Sequence, residues 1–117
     1  MNTIWHYPNC STCSKARKWL SARGIEAKAI DLVAEPPSAE QVADLWKRSG
    51  LPLRKLFNVS GVSYRAGGWK DRLEATTEEE QVAALSADGK LLRRPILDLG
   101  GRVLVGFSEA AWEEAVA

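Results

Sequence analysis

Apolar and polar residues switch between two periods along this chain, and the switches predict its elements. Thr3 to Tyr7 is a short β-branched and aromatic run ending at Pro8-Asn9, which predicts a buried strand that enters a turn. Ala16, Trp19, Leu20 and Arg23 then recur at helical spacing, with Ser11 or Thr12 as N-cap and Gly24 as the stop. Ile25 to Leu32, with Ala27, Ala29, Ile30 and Leu32, predicts a second strand before the turn at Glu35-Pro36-Pro37.

Ser38-Ala39-Glu40-Gln41 has the pattern of a capping box, and Val42, Leu45 and Trp46 give that helix an apolar stripe until Gly50. Leu51 to Phe57 is a short helical or turn segment, and Ser60 to Gly68 is rich in helix breakers and reads as loop. Thr76-Thr77 followed by Glu78, Glu79 and Glu80 opens a helix that runs through Ala84 and Leu85 to Asp88-Gly89, its acidic residues at the end the helix dipole favours. Pro95 to Leu99 and Arg102 to Phe107, joined by Gly100-Gly101, predict a β-hairpin, and Ser108 caps a last helix containing Trp112. The order is β-α-β, a helical middle, then β-β-α. It fits an α/β fold of thioredoxin-like type, one domain over residues 1–117 with a mainly helical insertion at about 36–90.

Composition agrees with a single globular domain: 117 residues, 45% hydrophobic and 26% charged. The formal net charge of +1 gives no bulk reason to expect direct nucleic-acid binding or an anionic membrane, so any anion site is local. The first residues lack the basic and long apolar regions of a leader, and no window approaches the ~18 apolar residues of a membrane span. The expected location is the cytoplasm, where cysteines stay reduced.

Both cysteines and the only histidine fall within Trp5 to Arg17. Cys10 lies at the predicted strand-to-helix turn with Cys13 one turn later, roughly 5 to 6 Å away by backbone, compatible with a reversible disulfide. Cys10 is the better nucleophile because free N–H groups at a helix start stabilise a thiolate and can hold an oxyanion. A helix end contributes only ~0.3–1 kcal/mol, less than one pKa unit, so more positive potential is needed. Lys15 and Arg17 in the following turns and His6 at the strand's mouth are candidates to supply it. Zinc is disfavoured, since Cys10, Cys13 and His6 exhaust the Cys and His of the chain. Two structural cysteines without chemistry remain the alternative, against which the polar Ser11-Thr12 turn argues.

The His6-x-x-x-Cys10 turn, the Leu91-Leu92-Arg93-Arg94-Pro95-Ile96 run and Phe57-Asn58-Val59-Ser60-Gly61 with Tyr64 resemble the glutaredoxin-dependent type of arsenate reductase and its Spx-type relatives. The resemblance runs along essentially the whole chain. It implies a thioredoxin-like fold with Pro95 in a cis bond beside Cys10, and arsenate held at the helix start by the N–H groups of Ser11 and Thr12, by Arg94 and by Arg54. Two positions depart from the pattern. Ser14 stands where the family has an arginine, and Gly106 replaces another near the end of the hairpin, with Arg102 as a nearby substitute. Cys13 departs in the other direction, since the pair of cysteines is the redox switch of the regulators.

The expected function is reduction of arsenate to arsenite through a cysteine–arsenic adduct at Cys10, resolved by Cys13 or an external thiol, in arsenic detoxification. No bound cofactor is expected, and thioredoxin or glutathione with glutaredoxin would donate electrons. One rival is an Spx-type redox-sensing transcriptional regulator that binds RNA polymerase. The other is a general thiol-disulfide oxidoreductase.

Overall fold

A computed structural model describes residues 2–116. Strand β1 (Asn2–His6) enters helix α1 (Ser11–Ala22), and strand β2 (Ala27–Asp31) returns parallel to β1. Helices α2 (Ala39–Ser49), α3 (Val62–Ala66), α4 (Trp69–Ala75) and α5 (Glu78–Ala87) follow, with 3-10 turns at Leu53–Leu56 and Gly89–Leu91. Strands β3 (Ile96–Asp98) and β4 (Val103–Val105) form an antiparallel hairpin before α6 (Glu109–Val116). The four-stranded sheet has the order β2-β1-β3-β4, with β3 antiparallel to β1. This is the thioredoxin-like arrangement that the element order predicts.

The alternation of side chains along the strands divides the interior into two layers. Ile4, Leu97 and Leu104 stand in register on one face and meet Ala16, Trp19 and Leu20 of α1 and Trp112 of α6. Trp5, Ile96 and Val103 point to the other face and join Val42, Leu45, Leu56, Phe57, Trp69 and Leu85. Burial of each large side chain contributes on the order of 2–3 kcal/mol, so both layers are needed for a chain of this size. Trp5, Trp19, Trp69 and Trp112 are core, while Trp46 is half-buried and donates its indole N–H to the Leu51 carbonyl at 2.9 Å.

Helix ends follow the sequence closely. Ser38 with Gln41 and Thr77 with Glu80 form reciprocal capping boxes, and α2 stops at Gly50, whose φ of +69° glycine adopts without penalty. Arg48 near the end of α2 forks onto Asp98 of β3 at 2.6 and 2.9 Å and bonds the Gly100 carbonyl at 2.7 Å, tying the helix to the hairpin.

Three expectations differ in detail. The N-cap of α1 is Cys10 itself, rather than Ser11 or Thr12. Strand β2 begins at Ala27 rather than Ile25, because the Ile25 N–H closes the end of α1 by bonding the Leu20 carbonyl at 3.0 Å. The stretch read as loop at Ser60 to Gly68 contains α3, a helix of five residues with Tyr64 buried and Val62 exposed, too short to register as a period.

One contact positions the site. Phe57 bridges Leu92, flanked by Asn58 N–H to Leu91 carbonyl and Arg93 N–H to Leu56 carbonyl bonds, both 2.7 Å. The 3-10 turn carrying Arg54 is thereby clipped to the segment carrying Arg93 and Arg94.

Candidate active site

Cys10 leaves β1 through a tight turn in which its N–H bonds the Tyr7 carbonyl at 3.0 Å, and its extended backbone starts α1. The neutral thiol makes no side-chain cap. Burial works against its charged form, yet the Cys13 N–H, the Cys13 S–H, the Thr12 N–H and Arg94 together hold the Cys10 thiol below its ordinary value. These donors stabilise the charge that appears on deprotonation.

Cys13 is the opposite kind of thiol. It is fully buried, its sulfur accepts the Tyr7 N–H at 3.4 Å, and burial together with the Cys10 charge pushes its pKa up to about 12, against the favourable Tyr7 bond and Arg94. Each thiol shifts the other, Cys13 favouring charge on Cys10 and Cys10 disfavouring it on Cys13. One is a half-buried thiolate former and the other a protonated thiol beneath it.

Arg94 lies over this pair. Its guanidinium sits 5.2 Å from the centre of the Tyr7 ring and donates to the carbonyls of Lys90 at 3.1 Å and Leu92 at 3.4 Å. The Arg94–Pro95 peptide is cis, as the resemblance implies. Ser11 and Thr12 are exposed at the first turn of α1.

The other candidates occupy different places. Lys15 and Arg17 are exposed on α1, and neither is among the groups that lower the Cys10 pKa; the cation acting there is Arg94. His6 is buried and paired in register with Asp31, and its Nδ1 has no hydrogen-bond partner. Burial and the Arg17 charge hold His6 below its ordinary pKa, with Asp31 opposing, so the structure brings it to the neutral form without a bond to Cys10. Arg54 is exposed and lines a cavity of about 510 Å³ with Lys55, Asn58, Tyr64 and Arg93. Arg102 is exposed and lines a separate, smaller cavity with Gly106 and Trp112.

Sequence reasoning missed Tyr7 and gave Arg93 no role of its own. Tyr7 seats Arg94 and bonds both cysteines through its backbone, and nothing in its spacing announces this. Arg93 fills the space that a side chain at Gly106 would take, its Nε, Cζ and Nη2 lying 2.8–2.9 Å from the place of a Cβ. The signal for Arg93 was the doubled arginine before Pro95 together with glycine at 106. Among the described residues, no three of His, Cys, Asp and Glu come together to hold a metal ion, and no helix is long and apolar enough to cross a membrane.

The model of the ArsC family matches residues 5–115. The uncharacterized Bacillus subtilis (strain 168) protein YusI is 44% identical over 112 residues, covering 96% of this chain and 95% of that one. A crystal structure described as a possible arsenate reductase from Streptococcus mutans UA159 superposes with a TM-score of 0.90 at 38% identity, covering 100% of this chain and 98% of that one. The global transcriptional regulator Spx 2 of Lactococcus lactis subsp. lactis (strain IL1403) is 26% identical over 109 residues, covering 93% of this chain and 81% of the regulator.

Proposed function

The chain belongs to the ArsC family, and from that premise we propose that it is a thiol-dependent oxidoreductase that reduces arsenate to arsenite. The observation that carries this reading is the asymmetry of the cysteine pair: a Cys10 thiol held low by helix N–H groups and Arg94, above a buried Cys13 thiol held high.

The chemistry follows from the two sulfurs. The Cys10 thiolate attacks arsenic and displaces one oxygen as water, while Arg94 and the N–H groups of the first turn, at Ser11 and Thr12, stabilise the charge on the remaining oxygens. Adduct formation removes the Cys10 charge, which is one of the causes that raise the Cys13 pKa, while the pull of Arg94 on Cys13 remains. Cys13 therefore ionises more readily once Cys10 has reacted, with burial still the largest cause opposing it. Its thiolate attacks the Cys10 sulfur, the sulfur–arsenic bond breaks with its electron pair left on arsenic, and arsenite departs. Two thiols are oxidised to one disulfide as arsenic gains two electrons. Thioredoxin reopens the disulfide; glutathione with glutaredoxin is the alternative donor. Neither His6 nor Pro95 reacts in this scheme, and Lys15 and Arg17 contribute only long-range positive potential on α1.

A second reading has one observation in its favour, the likeness to the Spx regulator combined with a cysteine pair suited to switching. On that reading the same disulfide sets binding to RNA polymerase. A coupled assay decides: purified protein, arsenate, NADPH and either a thioredoxin or a glutaredoxin system, with NADPH oxidation followed. Turnover well above the protein-free rate, abolished in Cys10→Ser and reduced roughly 10²–10³-fold in Arg94→Ala, is expected. Absence of turnover with both donors refutes the arsenate reading. Turnover of a model disulfide in that case points to a general thiol-disulfide oxidoreductase.

A further inference from the structure

Arg94 is the cation that acts on both cysteines, and no anion holds it in place. Among the described residues no carboxylate forms a salt bridge with it. Its two carbonyl bonds, to Lys90 and Leu92, both run from Nη1 and fix one corner of the planar fork. Bonds from a single nitrogen leave the plane free to turn about that corner and leave the other N–H groups of the guanidinium available. The ring of Tyr7, its centre 5.2 Å from the guanidinium carbon, is the third point of the seat.

Tyr7 is itself anchored. Its N–H bonds the Cys13 sulfur at 3.4 Å, its carbonyl accepts the Cys10 N–H at 3.0 Å, and Pro8 after it restricts its backbone to extended conformations. The main chain makes all of these contacts, so the half-buried ring stands on a fixed base and is not needed to close the turn.

The chemistry of the seat matters as much as its position. A carboxylate in place of the ring would grip the arginine harder, and would also offset the charge that a Cys10 thiolate and an incoming oxyanion need. An aromatic face attracts a cation through its quadrupole while remaining neutral. The guanidinium is thereby directed without being neutralised.

We propose that Tyr7 is a positioning residue, whose ring holds the Arg94 guanidinium over the cysteine turn and leaves its positive charge whole for the sulfur and the oxyanion. The proposal rests on the reading of Cys10 as a nucleophile served by Arg94, and it adds a residue to that site. The groups that bear on Cys10 are Arg94, the Cys13 thiol and the N–H groups of Thr12 and Cys13, while Lys15 and Arg17 of α1 are not among them. A change of side chain at position 7 therefore reaches the sulfur through Arg94.

The pH profile of Cys10 alkylation by iodoacetamide, measured on the reduced protein with peptide mapping, reads the seat without arsenate. Tyr7→Leu should move the profile up by roughly half a pH unit and lower kcat/KM for arsenate about 3- to 30-fold. Tyr7→Phe keeps the ring and should recover most of both. Tyr7→Glu should be worse than Tyr7→Leu on both, because its carboxylate pairs with the arginine. In an Arg94→Ala background Tyr7→Leu should add no further shift. Should Tyr7→Leu fail to fold, Tyr7→Phe proteins carrying one, two or three ring fluorines keep the shape and weaken the aromatic face in steps, and the profile should climb in that order. An unmoved profile in folded Tyr7→Leu, equal losses in Tyr7→Phe and Tyr7→Leu, a Tyr7→Glu protein better than Tyr7→Leu, the same shift without Arg94, or no trend with fluorine overturns the proposal. Alkylation needs no arsenate, so failure of the reductase reading leaves this result standing, and turnover with an unmoved profile overturns the role of Tyr7 alone.

Discussion

The two cysteines should differ in reactivity by a margin that can be worked from their surroundings. The perturbation is alkylation of the native, reduced protein with iodoacetamide at pH about 7.5, a reagent that reads thiolate and access together. Cys13 rises from an ordinary 9.0 to about 12, which cuts its thiolate population about a thousandfold at any pH well below both values. A more basic thiolate is intrinsically more nucleophilic, and with a Brønsted slope of ~0.4–0.5 the gain is about 15- to 30-fold. The net is a thiol about 30- to 60-fold slower than an ordinary one, before its complete burial is counted. Cys10 moves the other way, half-buried with its thiol held low, so the ratio between the two is larger still. Timed quenching, intact mass and peptide mapping should find one label per chain, on Cys10, with Cys13 labelled only after unfolding. Blocking Cys10 first with a neutral cap should speed Cys13, because the Cys10 charge is one of the causes holding it up. Comparable rates at both sites in the folded chain, or labelling of Cys13 first, refute the assignment of nucleophile and resolving thiol.

Two further predictions concern stability and its dependence on pH. Asp98→Asn should cost about 1–2 kcal/mol at neutral pH by urea unfolding, since it weakens the fork from Arg48 that ties α2 to the hairpin. Arg48 holds the Asp98 carboxyl below its ordinary 3.8, so that stabilisation is present above 3.8 and disappears as pH falls through the folded value, where variant and wild type should converge; a constant gap in acid argues against it. His6 is buried as the neutral imidazole with a pKa below its ordinary 6.5, so below 6.5 the unfolded chain binds more protons and the fold loses stability. Between about pH 7 and about pH 5.5 the urea midpoint of the wild type should fall more steeply than that of His6→Gln, and equal slopes remove His6 as the titrating group.

Most of the architecture was legible because each element carries a local signal that agrees with its tertiary role. The capping boxes at Ser38 and Thr77, the stop at Gly50 and the Gly100-Gly101 turn are chemistry read within four residues. The helix α3 was illegible because five residues do not complete two turns and its fate depends on Tyr64 meeting Phe57, a contact of tertiary origin. In the site, Cys10 and Cys13 stood out by spacing and neighbours, and Arg94 through the resemblance carried by the run before Pro95. The surroundings of Arg54 and Arg93 did not, since they depend on the antiparallel bridge between Phe57 and Leu92, residues far apart in the chain. The positive potential at Cys10 was sought on α1 because Lys15 and Arg17 are close in sequence, whereas Arg94, eighty-four positions away, provides it through the fold.

The contact between Arg93 and Gly106 makes two distant positions behave as one. A methyl group at 106 would enter space the guanidinium already occupies, and the φ of +77° there penalises any side chain besides. A single substitution at either site is therefore read against the residue present at the other: enlargement at 106 evicts the arginine, and truncation at 93 opens an unfilled notch beside the cis-proline turn. Such coupling is epistasis with a steric origin. It is modest, since the guanidinium is the far end of an exposed, flexible side chain that can swing aside, and the positive φ at 106 sets the larger cost of any side chain there.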